Sequence, residues 1–261
     1  MGYGKEFVKC YNLEDFKGYS DARIRALALC AAVGVPRYKI YHSQVIADTA
    51  LIMADELYKQ KGIQVDKETC EIGALLHDVG LSQIPTDDMP EHAYIGALIA
   101  KDAGFSQEIC NCIEFHDGCG GFVKEYCDLL DLPKTDKDRE DLLPRTWEEK
   151  IVAYADTFIT LYGEAELDIW NDDDAAKRGS YAYLEKPVRV RRGLCLPFDH
   201  PQLEYACAFN KEMRQFLPRE RVEKELKAGI EAMVRALTAE NIKTPFYSTP
   251  EWPPVVWPRI R

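Results

Sequence analysis

Apolar residues at helical spacing, broken at short intervals by Gly and Pro, limit the fold of this chain more than any other feature. From Pro36 to Lys61 the positions Val45, Ile46, Thr49, Ile52, Met53 and Leu57 share one helical face, and Gly62 supplies a C-terminal stop. A helix from Ser20 to Cys30 carries Ile24, Leu27 and Ala28, with Ser20 or Asp21 as its N-cap. Asp66 caps a helix that carries Ile72, Leu75 and Leu76 and runs to Gly80. After a loop with Pro85 and Asp87-Asp88, Pro90 opens a helix to Ala103, stopped by Gly104. Ser106, with Ile109 and Ile113, starts another that ends around Asp117-Gly118. The charged, proline-bounded stretch from Asp128 to Pro144 reads as a loop. Thr146 with Glu149 then forms a capping box for a helix through Leu161. The expected fold class is all-α.

The pattern changes beyond Gly163. An acidic run leads into YAYLEKPVRVRRGLCLPF, where Pro187 to Leu196 alternates enough to predict an extended segment or short hairpin. Helices are expected from Pro201 to Phe216 and from Arg219 to Ala239. The final TPFYSTPEWPPVVWPRIR is too rich in proline for a helix, yet its aromatics require burial, against the body of the protein or a second subunit. Two regions follow: residues 20–163, and an extension over 164–261.

Charge and cysteine usage narrow the function. The net charge is −11, whereas a nucleic-acid binder needs a basic footprint, so no nucleic-acid polymer is expected as partner. The longest apolar stretch, Ala26 to Val35, is shorter than the roughly 18 residues that a membrane span needs, and the first residues, MGYGKEFVKC, lack a signal's apolar region. A cytoplasmic protein without a membrane partner is expected. Nine cysteines, an odd number, indicate reduced thiols. Cys110, Cys112, Cys119 and Cys127 group loosely, but their spacing matches no paired C-x-x-C zinc site.

The histidines carry the functional signal. Of five, four fall in one order: His42, the doublet His77-Asp78 in GALLHDVG, His92 in PEHAYIGA and His116 in CIEFHDG, followed by Asp156 in EKIVAYADTFI. Imidazole and carboxylate are natural ligands for divalent transition metals, and packed helices can each project one toward a shared axis. Neighbours on a helix point about 100° apart, so His77 and Asp78 both reach a site only if it lies between their directions. That arrangement suits a carboxylate bridging two ions. His200, in FDHPQ, stands outside the pattern.

This order, H…HD…H…H…D, resembles the HD-domain superfamily of metal-dependent phosphohydrolases. The strings HSQVIADTALIMADEL, GALLHDVG, EHAYIGALIAKDAGFSQEICNCIEFH and PRTWEEKIVAYADTFI are similar to a group of small archaeal and bacterial HD proteins. The resemblance covers residues 20–163 and implies an HD-domain helical bundle with a mostly helical extension. It also implies that His42, His77, Asp78 and Asp156 hold one ion, and that His92 and His116 hold a second, with Asp78 bridging. The cofactor would be two divalent transition-metal ions, Fe or Mn first, with Co, Ni or Zn as further options.

Such a pair lowers the pKa of water and clamps phosphoryl oxygens, which implies hydrolysis of a small phosphate ester with Asp78 and Asp117 in catalytic roles. Many HD phosphohydrolases carry Lys after the HD-x-G string; here Leu81 stands there. Where HD-GYP proteins end a paired-His motif in Gly-Tyr-Pro, this chain has FHDGCGG. The same six-ligand scaffold also resembles mixed-valent di-iron oxygenases, some of which place Tyr and Glu ahead of the first His; here VGVPRYKIY offers Tyr38 and Tyr41 and no Glu. A metal-binding regulatory module without turnover is a third reading. For a small anionic substrate the expected contacts are Tyr41 and the extension's basic group Arg189, Arg191 and Arg192, since Arg pairs bidentately with phosphate or carboxylate. Asp87, Asp88 and Glu91, ahead of His92, read as loop or helix-start charges. The extension would wall the site, or form the interface of a homo-dimer.

Overall fold

The structure, a computed structural model, describes residues 21–84, 90–164 and 166–239. Helix α2 (Arg37–Lys61) packs against α1 (Asp21–Val33), α3 (Lys67–Leu76), α7 (Trp147–Phe158) and α10 (Lys227–Ala239). Its apolar face delivers Ile46, Met53 and Leu57, each fully buried. A buried aliphatic side chain of this size contributes roughly 1.5–3 kcal/mol relative to exposure, so one such stripe anchors the bundle. Gly62 ends α2 in a left-handed conformation with φ 69°, and its N–H donates to the Tyr58 carbonyl. The Asp66 carboxylate accepts from the Glu68 N–H to start α3. Ser106 caps α5 (Gln107–Glu114) through the Ile109 N–H, and Thr146 with Glu149 closes a reciprocal box on α7. Between α3 and α5 lies α4 (Glu91–Asp102).

Two expected helices are shorter than their patterns. The one begun at Asp66 stops at Leu76, and a 3-10 turn, Val79–Ser82, carries the chain through Gly80. The one begun at Ser106 stops at Glu114, before a tight turn at Asp117–Gly120. Helix α6 (Lys124–Leu130) takes the first residues of the stretch expected as a loop, which begins at Asp131.

The extension forms α8 (Asp173–Arg192), α9 (Pro201–Met213) and α10. The extended segment expected from Pro187 is corrected: residues 187–192 are the last turns of α8. Their Val-Arg alternation mimics a strand, but two end signals set a helix. Asp172 accepts from the Ala175 N–H, and Gly193 closes with φ 64°. Proline in a helix interior costs about 3 kcal/mol. Here the burial of Leu184 and Val188 against Phe115, Phe122 and Tyr126 opposes that cost, and the Tyr126 hydroxyl donates to the Leu184 carbonyl at 2.7 Å.

Phe209, Met213, Phe216, Ile230 and Met233 join the core that α2, α3 and α7 begin, and the Trp170 indole donates to the Leu217 carbonyl at 2.9 Å. Ser20 and the aromatics Phe246, Trp252 and Trp257 lie outside the described residues. Among the described residues there is no β-strand, only an isolated bridge between Phe122 and Leu142, and no helix is long and apolar enough to cross a membrane.

Candidate metal centre

His42 projects from the first half of α2, His77 and Asp78 from the end of α3, His92 from the first turn of α4, His116 from just past α5, and Asp156 from α7. These helices pack so that the six side chains meet in the interior. The question of how His77 and Asp78 can share a site is answered by the end of α3. Asp78 leaves helical geometry, with φ −92° and ψ 8°, so its carboxylate turns back beside its neighbour.

The histidine tautomers are set by the backbone. Nδ1 of His77 lies 2.7 Å from the Ala74 carbonyl, and Nδ1 of His116 lies 2.6 Å from the Ile113 carbonyl. A carbonyl only accepts, so each Nδ1 carries a proton and Nε2 is the nitrogen left to face the centre. Ring nitrogens held in this way are characteristic of metal ligands. Nε2 of His77 is buried with no hydrogen-bond partner, an arrangement that is costly unless something else meets it.

Distances group the centre into two overlapping halves that share His77. Oδ1 of Asp156 is 3.2 Å from Nε2 of His42 and 3.6 Å from Nε2 of His77. Oδ2 of Asp78 is 3.2 Å from Nε2 of His77 and 3.9 Å from Nε2 of His42. Its other oxygen, Oδ1, is 3.5 Å from Nε2 of His92, which itself lies 3.2 Å from Nε2 of His116. Two sets converge with ligand atoms mutually within 4.8 Å: His42, His77 and Asp156, and then His77, Asp78 and His116. His92 belongs to neither set but reaches the second half through its contacts with Asp78 and His116. Among the described residues no cysteine joins such a set. Cys110, Cys112, Cys119 and Cys127 are buried, and burial pushes the Cys127 thiol up to about 11, which favours the protonated form over a ligating thiolate.

The charges fit cation binding. Burial opposes ionisation of Asp78, but His77 and Lys39 outweigh it and hold the carboxyl well below the usual carboxylate range. Asp156 is lowered in the same way: burial opposes, while the His42 hydrogen bond and His77 prevail. Burial first, then the neighbouring His77 and His92, bring His116 down to about 3, so its imidazole is neutral near pH 7, as a ligand must be.

Asp117 sits behind His92, with Oδ2 3.8 Å from Nδ1 of His92. The Gly118 N–H donates to Oδ1 of Asp117 at 2.6 Å, a bond that the left-handed backbone of Gly118, φ 75°, allows. Tyr41 is 37% exposed on α2. Arg191 pairs with Glu91 and donates to the Leu130 carbonyl at 3.1 Å. Arg192 donates to the Leu129 carbonyl at 2.6 Å and pairs with Asp131, and Arg189 lies 3.8 Å from Glu185. None of these arginine contacts is to one of the six candidate ligand side chains. Two residues at the site escaped the sequence reading. Lys39 lies one turn before His42, and its Nζ is 3.1 Å from Oδ2 of Asp78; the i, i+3 spacing was the available signal. Tyr183 donates its hydroxyl to Oδ1 of Asp117; no local signal marks it, because only the packing of α8 brings it there.

Gly80 sets the approach of α4. A Cβ at this position would lie 2.0 Å from the His92 carbonyl oxygen and 2.7 Å from the Gly96 nitrogen. The backbone after Asp78 therefore rests directly on the helix that carries His92. Gly80→Ala should cost about 3 kcal/mol, the upper end for an overpacked interior, read from the urea midpoint; a parental midpoint would contradict this contact.

The HD domain family pattern matches residues 40–161, a span that includes all six side chains. An uncharacterised protein of Methanocaldococcus jannaschii is 33% identical over 178 residues, covering 68% of this chain and 89% of that protein. The chain belongs to the HD-domain family. This HD protein also matches parts of two tRNA (cytidine(56)-2'-O)-methyltransferases. The one from Picrophilus torridus is 34% identical over 122 residues, 47% of this chain and 31% of that enzyme. The one from Thermoplasma volcanium is 32% identical over 169 residues, 64% of this chain and 45% of that enzyme. The HD chain thus spans less than half of either methyltransferase. Among solved structures, the HD domain of the L. monocytogenes phosphodiesterase PgpH, in complex with cyclic-di-AMP, aligns over 70% of this chain and 92% of that one, with 16% identity and a TM-score of 0.34.

Proposed function

We propose that this HD protein is a metal-dependent phosphohydrolase that cleaves a small phosphate ester at a two-ion centre. The observation that carries the reading is the pair of backbone-locked histidines, His77 and His116, whose Nε2 atoms face the carboxylate of Asp78. His42, His77, Asp78 and Asp156 would hold one ion, and His92 and His116 the other, with Asp78 shared. The distances favour sharing, because Oδ2 of Asp78 faces His77 and His42 while Oδ1 faces His92. An imidazole and carboxylate set of this kind suits Fe or Mn, with Co, Ni or Zn as further options.

When bound, such ions make water nucleophilic at neutral pH and polarise the phosphoryl group. The chain supplies the rest. His42, His77, Asp78, His92 and His116 are all at most 4% exposed, so bulk water is held away and a compact substrate is favoured over a polymer; the net charge of −11 points the same way. Lys39 puts a cation on the centre, in the kind of role that Leu81 cannot fill. In this reading the substrate contacts of Tyr41, Arg189, Arg191 and Arg192 rest on their chemistry alone. Lys39 has the stronger case because it touches a ligand.

The test is an anaerobic screen of small phosphate esters, nucleotides included, with protein loaded with Mn²⁺ or Fe²⁺. Phosphate release that depends on metal and needs no oxygen is expected. Lys39→Met should lower kcat/KM by about 10²-fold, the scale for one donor to a developing oxyanion, with metal content unchanged. An anaerobic screen without turnover, joined to substrate-dependent oxygen uptake, would overturn the hydrolase reading in favour of the oxygenase one.

A further inference from the structure

The six ligands are complete by Asp156, yet α8 of the extension reaches the neighbourhood of one of them twice. From one turn, the Tyr183 hydroxyl donates to Oδ1 of Asp117, which also receives the Gly118 N–H. From two turns further on, Arg191 pairs with Glu91, the residue before His92, and is itself held by the Leu130 carbonyl. Both contacts bear on His92, and neither touches His42, His77 or Asp156.

Resting on the two-ion reading, we propose that Tyr183 is a positioning residue for the second ion, acting through Asp117 and His92. Two donors on Oδ1 of Asp117 stop the carboxylate from rotating, and its other oxygen is thereby kept facing Nδ1 of His92, 3.8 Å away. A carboxylate behind an imidazole stabilises the tautomer protonated on the near nitrogen and raises the basicity of the far one. The far nitrogen is Nε2, the atom that meets Oδ1 of Asp78 at 3.5 Å and Nε2 of His116 at 3.2 Å. Asp117 is 2% exposed and His92 is 3% exposed, so water does not replace a lost donor. The contacts of Tyr183 and Arg191 thereby bear on the His92 side of the centre. That asymmetry separates positioning from general support of the fold.

The experiment is a Co²⁺ titration of metal-free protein, followed by its visible d–d absorption against a competing chelator. The parent should take up two ions in two resolved steps. In Tyr183→Phe the first dissociation constant should stay at its parental value, and the second should rise by about 10–100-fold, the range for loss of an outer partner of a metal ligand. Asp117→Asn keeps the side-chain volume and must show the same selective loss, so the inference stays testable if Tyr183→Phe does not fold. Parental constants for both ions, or a rise in both together, would overturn the proposal while leaving the two-ion reading in place. A parent that binds only one ion would remove that reading, and this proposal with it.

Discussion

Asp78→Ala should empty both halves of the centre and abolish turnover. Its two oxygens face different histidines, Oδ2 at 3.2 Å from His77 and Oδ1 at 3.5 Å from His92, so under the proposed two-ion reading one truncation would remove a ligand from each ion. The expected loss in kcat/KM is at least about 10⁴-fold, since bound metal lowers the pKa of water from 15.7 to about 7 and truncation forfeits most of that gain. His92→Ala gives the contrasting result, because His92 meets only the second half: one ion should remain. Both side chains are buried, so the fold of each variant is checked alongside its metal content. Elemental analysis with circular dichroism checks this pair. An Asp78→Ala protein that keeps its metals would show that the carboxylate is not shared.

Removal of metal should have the second large effect, on stability. Nε2 of His77 is buried without a hydrogen-bond partner and the ligand side chains around it are buried too, so the centre gains more from a cation than an exposed site would. A ligand that binds only the folded state stabilises it by about 4.1 kcal/mol at a free concentration 1,000-fold above its dissociation constant. A chain of this length shifts its melting point by about 2–4 °C per kcal/mol. The first ion alone should therefore raise Tm by roughly 8–16 °C over chelator-treated protein, and the second should raise it further. Scanning calorimetry with and without chelator reads the difference. Equal melting points would mean that the buried groups do not bind the metal supplied.

The physics behind these expectations was unevenly legible in the chain. Helix ends at Gly62, Asp66, Ser106 and Thr146 could be read because caps are local: one side chain or one glycine satisfies the nearest orphaned backbone groups. The six candidate ligands could be named from their order, although their convergence depends on how five helices pack. Asp117 was legible by its place beside His116, but its position behind His92 was not, since the turn at Gly118 redirects it. The helical end of α8 is not legible locally, because Val188 and Val190 alternate with Arg189 and Arg191 as in a strand, while the caps that decide the matter stand 21 residues apart at Asp172 and Gly193. Lys39 is within reach of a helical-wheel argument, since it stands three residues before His42 on the same helix. Tyr183 is not, because its partner lies 66 residues away in sequence.

The most direct test of the two-ion centre is the number of ions held per chain. Protein purified without oxygen, loaded with Mn²⁺, desalted and measured by inductively coupled plasma mass spectrometry should carry two ions, and the His92→Ala variant should carry one. A parent that holds one ion or none, or a His92→Ala variant that holds as many as the parent, would contradict the assignment of these six side chains to a dinuclear site.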